Sequence, residues 1–477
     1  MKLIYLLLAL GAFLPRALAD GLPDLGEASQ TVFSPQQERH IGESIMRDIR
    51  TSRDLVDDAE ITDYLNALGA RLVANTQDPA RSFEFFVISD NTLNAFALPG
   101  GFIGVHTGLI LSAQSESELA SVLAHEIAHV TQHHLARVIA GTQKNMITSL
   151  AALAVAILAS RSNPQVAGAA IATVQATNIQ SQLDYTREHE READHIGLQT
   201  LTQSGFDPHA MAGFFERLQK YGRLYENNAP VYLRTHPLTT ERIADVQNRV
   251  ESLPYRQVPD SLDFQLVRAK LEASQDSPRQ AIRIFDAALK DKKFSNETAQ
   301  HYGFATALLR NKEYSRAERE LLQARKNAPP TPMLETLAAQ IKLAAGQPGV
   351  ALEIYRAALK RFPHYRALVY GQAETLLQSG QAGDALNLVS DELKTHATDH
   401  HLYLFQAQAY AALGKTIQQH RAQAEAFVLQ GNLSEAIEQL QIALKTKDGD
   451  FFQLSMAEAR LRQLREQAKE ARKQEKP

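Results

Sequence analysis

The pattern of apolar and polar positions divides the chain into two parts of different character. Between about residues 34 and 255, helical patterns surround a few short runs that have the composition of strands. From about residue 260 onward the strand signals vanish, and helical patterns rich in small residues follow one another. We therefore expect a mainly α-helical chain with one small β-sheet in its first part.

The strand signals lie close together along the chain. Phe83 to Ser89 is aromatic and β-branched, which is typical of a strand. The run Asn94-Ala95-Phe96-Ala97-Leu98-Pro99-Gly100-Gly101 predicts a short strand and a Gly-Gly turn, and Phe102 to Val105 predicts the next strand. Pro99 favours an edge position for the first strand of this pair, because proline cannot donate a backbone hydrogen bond to a neighbouring strand.

Capping residues mark the starts of helices. Ser34-Pro35-Gln36-Gln37 combines a serine N-cap, a proline in the first turn and a glutamine three residues after the cap. Ser115-Glu116-Ser117-Glu118 has the capping-box pattern and opens a long helix that runs through His129. Further helices are predicted over about 59–76, from about Ser181 to Ser204 before Gly205, and from Asp207-Pro208 to about Gly222.

Two apolar stretches, Ile147 to Ala159 and Val166 to Val174, lie between these helices. Each is shorter than the roughly 20 residues that a membrane-spanning helix needs. A buried helical hairpin is one interpretation. A lid over a cleft, or a peripheral contact with a membrane surface, is the other.

The second part of the chain contains an internal repeat. Two sets of small residues recur every 34 residues: Gly346, Gly380 and Gly414, and Ala317, Ala351 and Ala385. A period of 34 residues with helix–turn–helix content is typical of tetratricopeptide repeats, which stack into an α-solenoid. We expect the glycines at turns between helices and the alanines where paired helices approach closely. The repeats are degenerate, because Gln419 stands where alanine is expected and the chain has no tryptophan.

The N-terminus has the form of a secretory signal peptide. Lys2 precedes an apolar core from Leu3 to Leu14, and Ala17-Leu18-Ala19 fits a cleavage site. We expect removal of residues 1–19 and export to a bacterial periplasm; an uncleaved N-terminal anchor is the alternative. The chain has no cysteine and therefore no disulfides, and its net charge of -4 gives no support to a nucleic-acid partner.

The segment His125-Glu126-Ile127-Ala128-His129 carries the strongest chemical signal. Histidines four residues apart lie about one turn apart on one helix face, so both imidazoles can reach one zinc ion at about 2.0–2.1 Å. Glu126 is placed to take a proton from a metal-bound water and to pass it to a leaving amine. The capped helix and its apolar neighbours favour a catalytic zinc site over a structural helix with two incidental histidines.

A catalytic zinc site needs a third protein ligand. The metzincin pattern would place glycine at 132 and histidine at 135, where this chain has Gln132 and Leu135, so that class is excluded. His133 lies about 12 Å along the helix from His125, which is too far for one zinc ion to bind both. We interpret His133 and His134 as surface residues or as residues behind the ligands.

The segment Glu190-Arg191-Glu192-Ala193-Asp194 offers a better candidate. Glu190 and Asp194 share one helix face, whereas Glu192 points elsewhere. Glu190 can bind the metal while Asp194 hydrogen-bonds a ligand histidine or assists proton donation. The alternative is a solvated run of charges that pair along the helix.

The histidine motif, Glu190-x-x-Ala193-Asp194-x-x-Gly197 and the run from Asn94 to Gly101 together resemble the HtpX/CaaX-prenyl-protease metallopeptidase family. The resemblance implies a gluzincin-like peptidase domain with one Zn²⁺ per chain. It implies that His125, His129 and Glu190 bind the zinc. It further implies that Glu126 is the catalytic base and Asp194 a second catalytic residue.

The resemblance also concerns two other segments. It implies that the strand with Asn94, Ala95, Phe96 and Ala97 is the substrate-binding edge, where an extended peptide can add through main-chain hydrogen bonds. The run from His236 to Arg242 matches a further family segment. His236 is either an ordinary loop histidine, or a fourth zinc ligand that blocks water, or a group that stabilises an oxyanion.

With a signal peptide before it and repeats behind it, the peptidase resembles periplasmic peptidase-chaperones of outer-membrane protein assembly. We expect a signal peptide at 1–19, a zinc metallopeptidase domain at 20–255 and a tetratricopeptide-repeat domain at 260–477. The resemblance implies that unfolded or stalled outer-membrane proteins are the substrates, and that the repeats bind the outer-membrane assembly machinery. The alternative is a chain that acts mainly as a non-proteolytic adaptor or chaperone through its repeats.

Overall fold

The computed structural model describes residues 34–140, 179–224, 231–326, 328–446 and 450–474. The expected signal peptide and the two apolar stretches lie outside these residues, so their interpretations stay predictions. No helix within the described ranges is long and apolar enough to cross a membrane.

A sheet of three strands forms near the predicted positions: β1 (Glu84–Ile88), β2 (Ala95–Leu98) and β3 (Phe102–His106). The central strand is β3, which runs parallel to β1 and antiparallel to β2. Gly100 and Gly101 form the turn before β3 with positive φ angles of 77° and 87°. Within the described residues β2 pairs with β3 alone, so the edge position predicted from Pro99 is confirmed.

Helices cover both faces of the sheet. In the described part up to residue 251 they are α1 (Pro35–Thr51), α2 (Ala59–Val73), α3 (Thr107–Ser112), α4 (Glu116–Thr131), α5 (His134–Ala140), α6 (Ile179–Gln203), α7 (His209–Leu224), α8 (Val231–Thr235) and α9 (Thr240–Glu251). Side chains that alternate along β1 face opposite ways. Phe86 packs against Met46 and Ile49 of α1, whereas Phe85 joins the core formed by α2 and α4.

The capping predictions are confirmed for α1. The Ser34 hydroxyl accepts a hydrogen bond from Gln37 N, and the Gln37 side chain accepts one from Ser34 N in return. The second element, α2, is capped by Asp58 and ends at Val73, a few residues before the predicted end.

In its described residues, the second part of the chain contains helices and no strands. Its helices are α10 (Leu262–Gln275), α11 (Pro278–Asp291), α12 (Glu297–Arg310), α13 (Tyr314–Lys326), α14 (Pro332–Ala344), α15 (Pro348–Arg361), α16 (Arg366–Gln378), α17 (Ala382–Glu392), α18 (His400–Ala412), α19 (Thr416–Leu429), α20 (Leu433–Ala443) and α21 (Phe451–Gln474). Consecutive helices pack against each other. The three glycines of the repeat take φ angles of 77°, 73° and 69° in the turns, and the three repeat alanines are fully buried between helices.

One hydrophobic core continues from the first part into the repeats. Helix α10 packs on α2 and α3, and Phe264 of α10 lies in the same cluster of buried side chains as Leu65 of α2. A polar contact supports this junction, because the Lys270 ammonium lies 2.7 Å from the buried Glu60 carboxylate. The first repeat helices therefore form part of the support on which the sheet and α4 rest.

Candidate metal centre

Helix α4 holds the predicted histidine motif inside the protein. The Ser115 hydroxyl caps the helix by accepting a hydrogen bond from Glu118 N. The Glu118 carboxylate does not complete the predicted capping box; it accepts a hydrogen bond from Gln114 N and pairs with Arg217. A half-buried arginine on a neighbouring helix competes successfully for that carboxylate, and such a partner cannot be predicted from the local sequence.

Helix α6 brings the second motif against α4. Glu190 and Asp194 are both buried and face α4, as their shared helix face predicts. Gly197 permits the close approach, since a Cβ atom at this position would lie 3.1 Å from the backbone N and Cα of His125. The glycine of the sequence motif thus sets the spacing between the two helices that carry the site.

Four side chains converge between these helices and the segment after α8. Their metal-binding atoms, from His125, His129, Glu190 and His236, all lie within 4.8 Å of one another. The Nε2 atoms of His125 and His129 are 3.0 Å apart. The two Glu190 oxygens lie 3.3 Å from His129 Nε2 and 3.4 Å from His125 Nε2.

Asp194 lies behind the site rather than among these four groups. Its Oδ1 atom is 3.0 Å from His125 Nδ1, which leaves His125 Nε2 directed at the cluster. Burial opposes ionisation of Asp194, but hydrogen bonds from Arg242 and His125 lower the pKa of its carboxyl group. A carboxylate that orients a histidine in this way is the usual support of a metal-ligating imidazole.

Arg242 contacts the carboxylates of both Asp194 and Glu190, and the sequence alone does not identify it as a site residue. Its Nε and Nη2 atoms each donate to Asp194 over 2.7 Å, and its Nη1 atom lies 2.8 Å from Glu190 Oε2. The guanidinium is buried at 2% exposure. The only sequence signal was its place at the end of the segment that starts with His236, where a buried arginine cannot be told from an exposed one.

His236 lies in the site, which separates it from an ordinary loop histidine. Its Nδ1 atom is 3.0 Å from Glu190 Oε1 and 3.3 Å from His125 Nε2, and its Nε2 atom is 3.5 Å from Glu126 Oε1. The ring of Tyr232, one turn earlier, stacks on the imidazole at a centroid distance of 4.7 Å. Tyr232 N also donates to Leu93 O, which links α8 to the residues just before β2.

The Glu126 carboxylate is buried beside the cluster. Neither of its oxygens has a hydrogen-bond partner among the described residues. A buried carboxylate is costly without a partner. Its place next to the convergent imidazoles suits a group that exchanges a proton with a water molecule in the site.

His133 and His134 were predicted to lie at the surface or behind the ligands, and the structure separates the two. His133 is partly exposed near Glu38 and Arg81. His134 is buried, its Nδ1 atom lies 2.9 Å from His129 Nδ1, and its ring stacks on His189 at 4.4 Å. A surface position is therefore wrong for His134, because α5 starts there and turns the side chain back under His129.

The electrostatics of the cluster fit a cation. Burial lowers the pKa of His129 well below its usual value, which favours the neutral imidazole. Burial opposes protonation of His125 as well, but its contacts with Asp194 and Glu190 raise its pKa to about 10. Two buried carboxylates thus hold a proton on this imidazole, and a divalent metal ion can replace that proton. The donor set of two or three imidazoles and one carboxylate suits such an ion.

The predicted substrate edge lies next to this centre. Strand β2 packs against α4, the helix that carries the histidines. Asn94 is buried, and its backbone oxygen accepts a hydrogen bond from His106 N. Ala95 is buried, the Phe96 ring packs edge-on against Phe86 at 5.9 Å, and Ala97 is partly exposed. The edge strand is thus held firmly from behind while its outer side pairs with no other described strand.

Comparison with known proteins agrees with this geometry. A family model described as peptidase family M48 matches residues 60–250, and a tetratricopeptide-repeat model matches residues 342–409. A beta-barrel assembly-enhancing protease from Escherichia coli (strain K12) is 34% identical over 453 residues, which cover 94% of this chain and 92% of that protein. A putative beta-barrel assembly-enhancing protease from Vibrio cholerae is 35% identical over 424 residues, which cover 87% of this chain and 86% of the other.

A further relative matches a smaller share of the chain. The mitochondrial metalloendopeptidase OMA1 of Schizosaccharomyces pombe is 34% identical over 197 residues, which cover 41% of this chain and 54% of that protein. The first two relatives, in contrast, match nearly the whole chain. The chain belongs to the family of beta-barrel assembly-enhancing proteases, and it is a metalloendopeptidase of peptidase family M48 followed by tetratricopeptide repeats.

Proposed function

We propose that the chain is a periplasmic zinc endopeptidase whose metal is bound by His125, His129 and Glu190. The observation that carries the proposal is the convergence of their nitrogen and oxygen atoms within 4.8 Å, beside a buried Glu126 carboxylate that has no hydrogen-bond partner among the described residues. Two imidazoles and one carboxylate are a usual ligand set of a catalytic zinc ion, which keeps a further position for water or substrate.

Several residues of the chain then have distinct roles in peptide hydrolysis. When bound, zinc polarises the scissile carbonyl group and lowers the pKa of the attacking water. Glu126 accepts a proton from that water at its carboxylate and donates it to the leaving amine. Asp194 keeps His125 in the orientation that presents Nε2, and Arg242 keeps Asp194 ionised.

His236 is proposed to regulate access to the same site. Its Nδ1 atom lies within 3.3 Å of both Glu190 and His125, close enough to act as a fourth ligand in a resting state. Once the segment after α8 moves, the imidazole can instead stabilise an oxyanion. If His236→Ala changes neither the zinc affinity nor the basal rate of proteolysis, both roles are wrong.

Substrates are proposed to bind as an added strand along β2. The outer edge of Asn94, Ala95, Phe96 and Ala97 offers main-chain donors and acceptors, which bind an extended peptide with little dependence on its sequence. An unfolded segment of a client can adopt this conformation, whereas a folded one cannot. The edge therefore favours proteins that have failed to assemble.

The clients are proposed to be unfolded or stalled outer-membrane proteins. This part rests on the name and close similarity of the relatives that match nearly the whole chain. The signal-like N-terminus supports export to the periplasm. The repeats would bind the clients or their assembly machinery, since stacked repeats present concave protein-binding surfaces.

Glu126→Gln tests the proposal. This variant keeps the size of the side chain but removes the base, so it should retain zinc and lose cleavage of casein and of a stalled outer-membrane client. An adaptor role would give a different pattern. If Glu126→Gln supports client assembly as well as the wild type does, and removal of the repeats abolishes that support, then the chain acts mainly as an adaptor.

A further inference from the structure

A second group of metal-binding side chains lies at the junction between the peptidase part and the repeats. Asp57 belongs to the connection between α1 and α2, whereas His400 and His401 form the first turn of α18. Their candidate donor atoms all lie within 4.8 Å of one another. His401 Nε2 is 2.8 Å from Asp57 Oδ1, and the two imidazole rings have a centroid distance of 4.0 Å.

Neighbouring groups hold His401 in place. Asp399 caps α18 by accepting a hydrogen bond from His401 N. Tyr370 donates its hydroxyl to the same carboxylate, and its ring lies 5.1 Å from the His401 ring. A metal site needs this kind of support, because ligands that are fixed beforehand lose less conformational entropy on binding.

The charge at the junction favours a cation. Arg366 pairs with Asp63 of α2 at 2.6 Å and with Asp399 at 3.2 Å. Together with Asp57, these residues supply three carboxylates against one guanidinium. An additional positive charge is therefore attracted to the group, and the exposed Asp57 side chain leaves a path for its entry.

The contact between Asp57 and His401 does not by itself explain the arrangement. An ion pair whose aspartate side chain is 66% exposed stabilises a protein little. It also makes no use of His400, which has a ring nitrogen within 4.8 Å of the ligand atoms of Asp57 and His401. Two imidazoles and one carboxylate are, in contrast, a ligand set for Zn²⁺ and similar divalent transition metals. Tetrahedral zinc needs donor atoms about 3.3 Å apart, and small side-chain rotations provide this spacing.

We propose that Asp57, His400 and His401 form a second site for a divalent transition metal, which joins the repeats to the peptidase part. The bound ion links the segment between α1 and α2 to α18. Its binding therefore strengthens the packing of the repeats on the first part of the chain. The site shares no residue with the candidate catalytic centre. Its failure would therefore leave the proposed function untouched.

The repeats provide a matched control. His364, Glu392 and His396 also bring their donor atoms within 4.8 Å, but all three belong to the repeats. The His364 side chain is 56% exposed, and its Nδ1 atom lies 3.0 Å from Glu392. An ion at that cluster would bridge nothing between the two parts of the chain.

The test is zinc uptake by the full chain. The wild type, Asp57→Asn, His401→Gln and His364→Gln are stripped with a chelator, equilibrated with excess ZnCl₂ and weighed by native mass spectrometry. Asp57→Asn keeps an oxygen that can accept the hydrogen bond but binds metal weakly. We expect the wild type and His364→Gln to carry one zinc ion more than Asp57→Asn and His401→Gln. We also expect the melting temperature of the wild type, but not of Asp57→Asn, to rise when zinc exceeds one equivalent.

Three results would overturn the proposal. The wild type could take up no more zinc than Asp57→Asn, which would leave an ordinary ion pair. His364→Gln could lose the additional ion, which would assign it to the cluster within the repeats. Asp57→Asn could keep the ion while His401→Gln loses it, which would show that the metal does not bridge the two parts.

Discussion

Replacement of Arg242 by alanine gives the sharpest test of how the candidate site is held together. The change removes a guanidinium that is buried at 2% exposure and that contacts both Asp194 and Glu190. Loss of one partner from a buried ion pair costs about 3–5 kcal/mol, because the remaining charge stays buried without compensation. Arg242 contacts two buried carboxylates, so the upper part of that range is expected.

The matched control lies on the same helix. Arg249 pairs with Asp245 at 2.8 Å, but their side chains are 41% and 39% exposed. Arg249→Ala should cost at most about 1 kcal/mol, as exposed ion pairs do. Arg242→Lys should fall between the two, because lysine keeps the charge but cannot donate to both Asp194 oxygens in the same fixed geometry.

Urea unfolding in the presence of a chelator measures the difference. The chelator matters because bound metal would add its own binding free energy to the stability of each variant. We expect the unfolding midpoint of Arg242→Ala to fall well below that of Arg249→Ala. Equal midpoints for these two variants would refute the claim that Arg242 compensates two buried carboxylates.

Two further predictions concern the packing and charge around the site. Gly197→Ala should destabilise the chain by about 1–3 kcal/mol and weaken zinc binding. The new Cβ atom would lie 3.1 Å from the His125 backbone and push α6 away from α4. The control is Gly213→Ala on α7, where a Cβ atom would meet nothing within 4 Å and the change should be neutral or stabilising. Urea unfolding and zinc titration measure both variants. A similar loss in both would contradict the packing argument. Hydrogen bonds from His134 and Arg137 lower the pKa of Glu192 to about 2 from its usual 4.5. The ionised Glu192 therefore stabilises the fold above pH 4.5, and this contribution disappears as the pH falls towards 2. The difference in unfolding free energy between the wild type and Glu192→Gln should therefore shrink across that window, and a constant difference would contradict the assigned contacts.

Local signals in the sequence were sufficient for much of the fold. The Ser34 cap, the edge strand before Pro99 and the turn glycines of the repeats depend on interactions between residues close together in the chain. The spacing of His125 and His129 likewise follows from helix geometry, and the shared face of Glu190 and Asp194 follows from the same rule. Such features can be predicted because a few neighbouring residues determine them.

Other features of the site arise only from tertiary packing. Arg242 reaches Asp194 across 48 positions of sequence, and nothing in its own segment distinguishes it from an exposed arginine. For His134 the sequence left open a surface position or one behind the ligands, and stacking on His189 of α6 places it behind His129. Glu118 has the correct position for a capping box, yet Arg217 draws its carboxylate away. In each case a distant partner in the folded chain decides the outcome.

The packing of the two parts of the chain against each other could not be predicted from the sequence either. The change in composition near residue 260 indicated a boundary, and the structure has α9 ending at Glu251 and α10 beginning at Leu262. The core nevertheless continues across this connection through Leu65 and Phe264. Period and composition describe each part by itself, whereas the complementarity of two surfaces depends on their three-dimensional shapes.

The zinc content of Glu190→Ala tests the central claim most directly. Glu188→Ala is the control, since Glu188 lies on the same helix but is exposed to solvent. Both changes are made in an Asp57→Asn background, so that the proposed second site takes up no zinc. Elemental analysis after equilibration with one equivalent of zinc, together with casein cleavage, should show that Glu190→Ala loses both metal and activity while Glu188→Ala keeps both. A Glu190→Ala protein that retains a full equivalent of zinc at His125 and His129 would contradict the proposed ligand set.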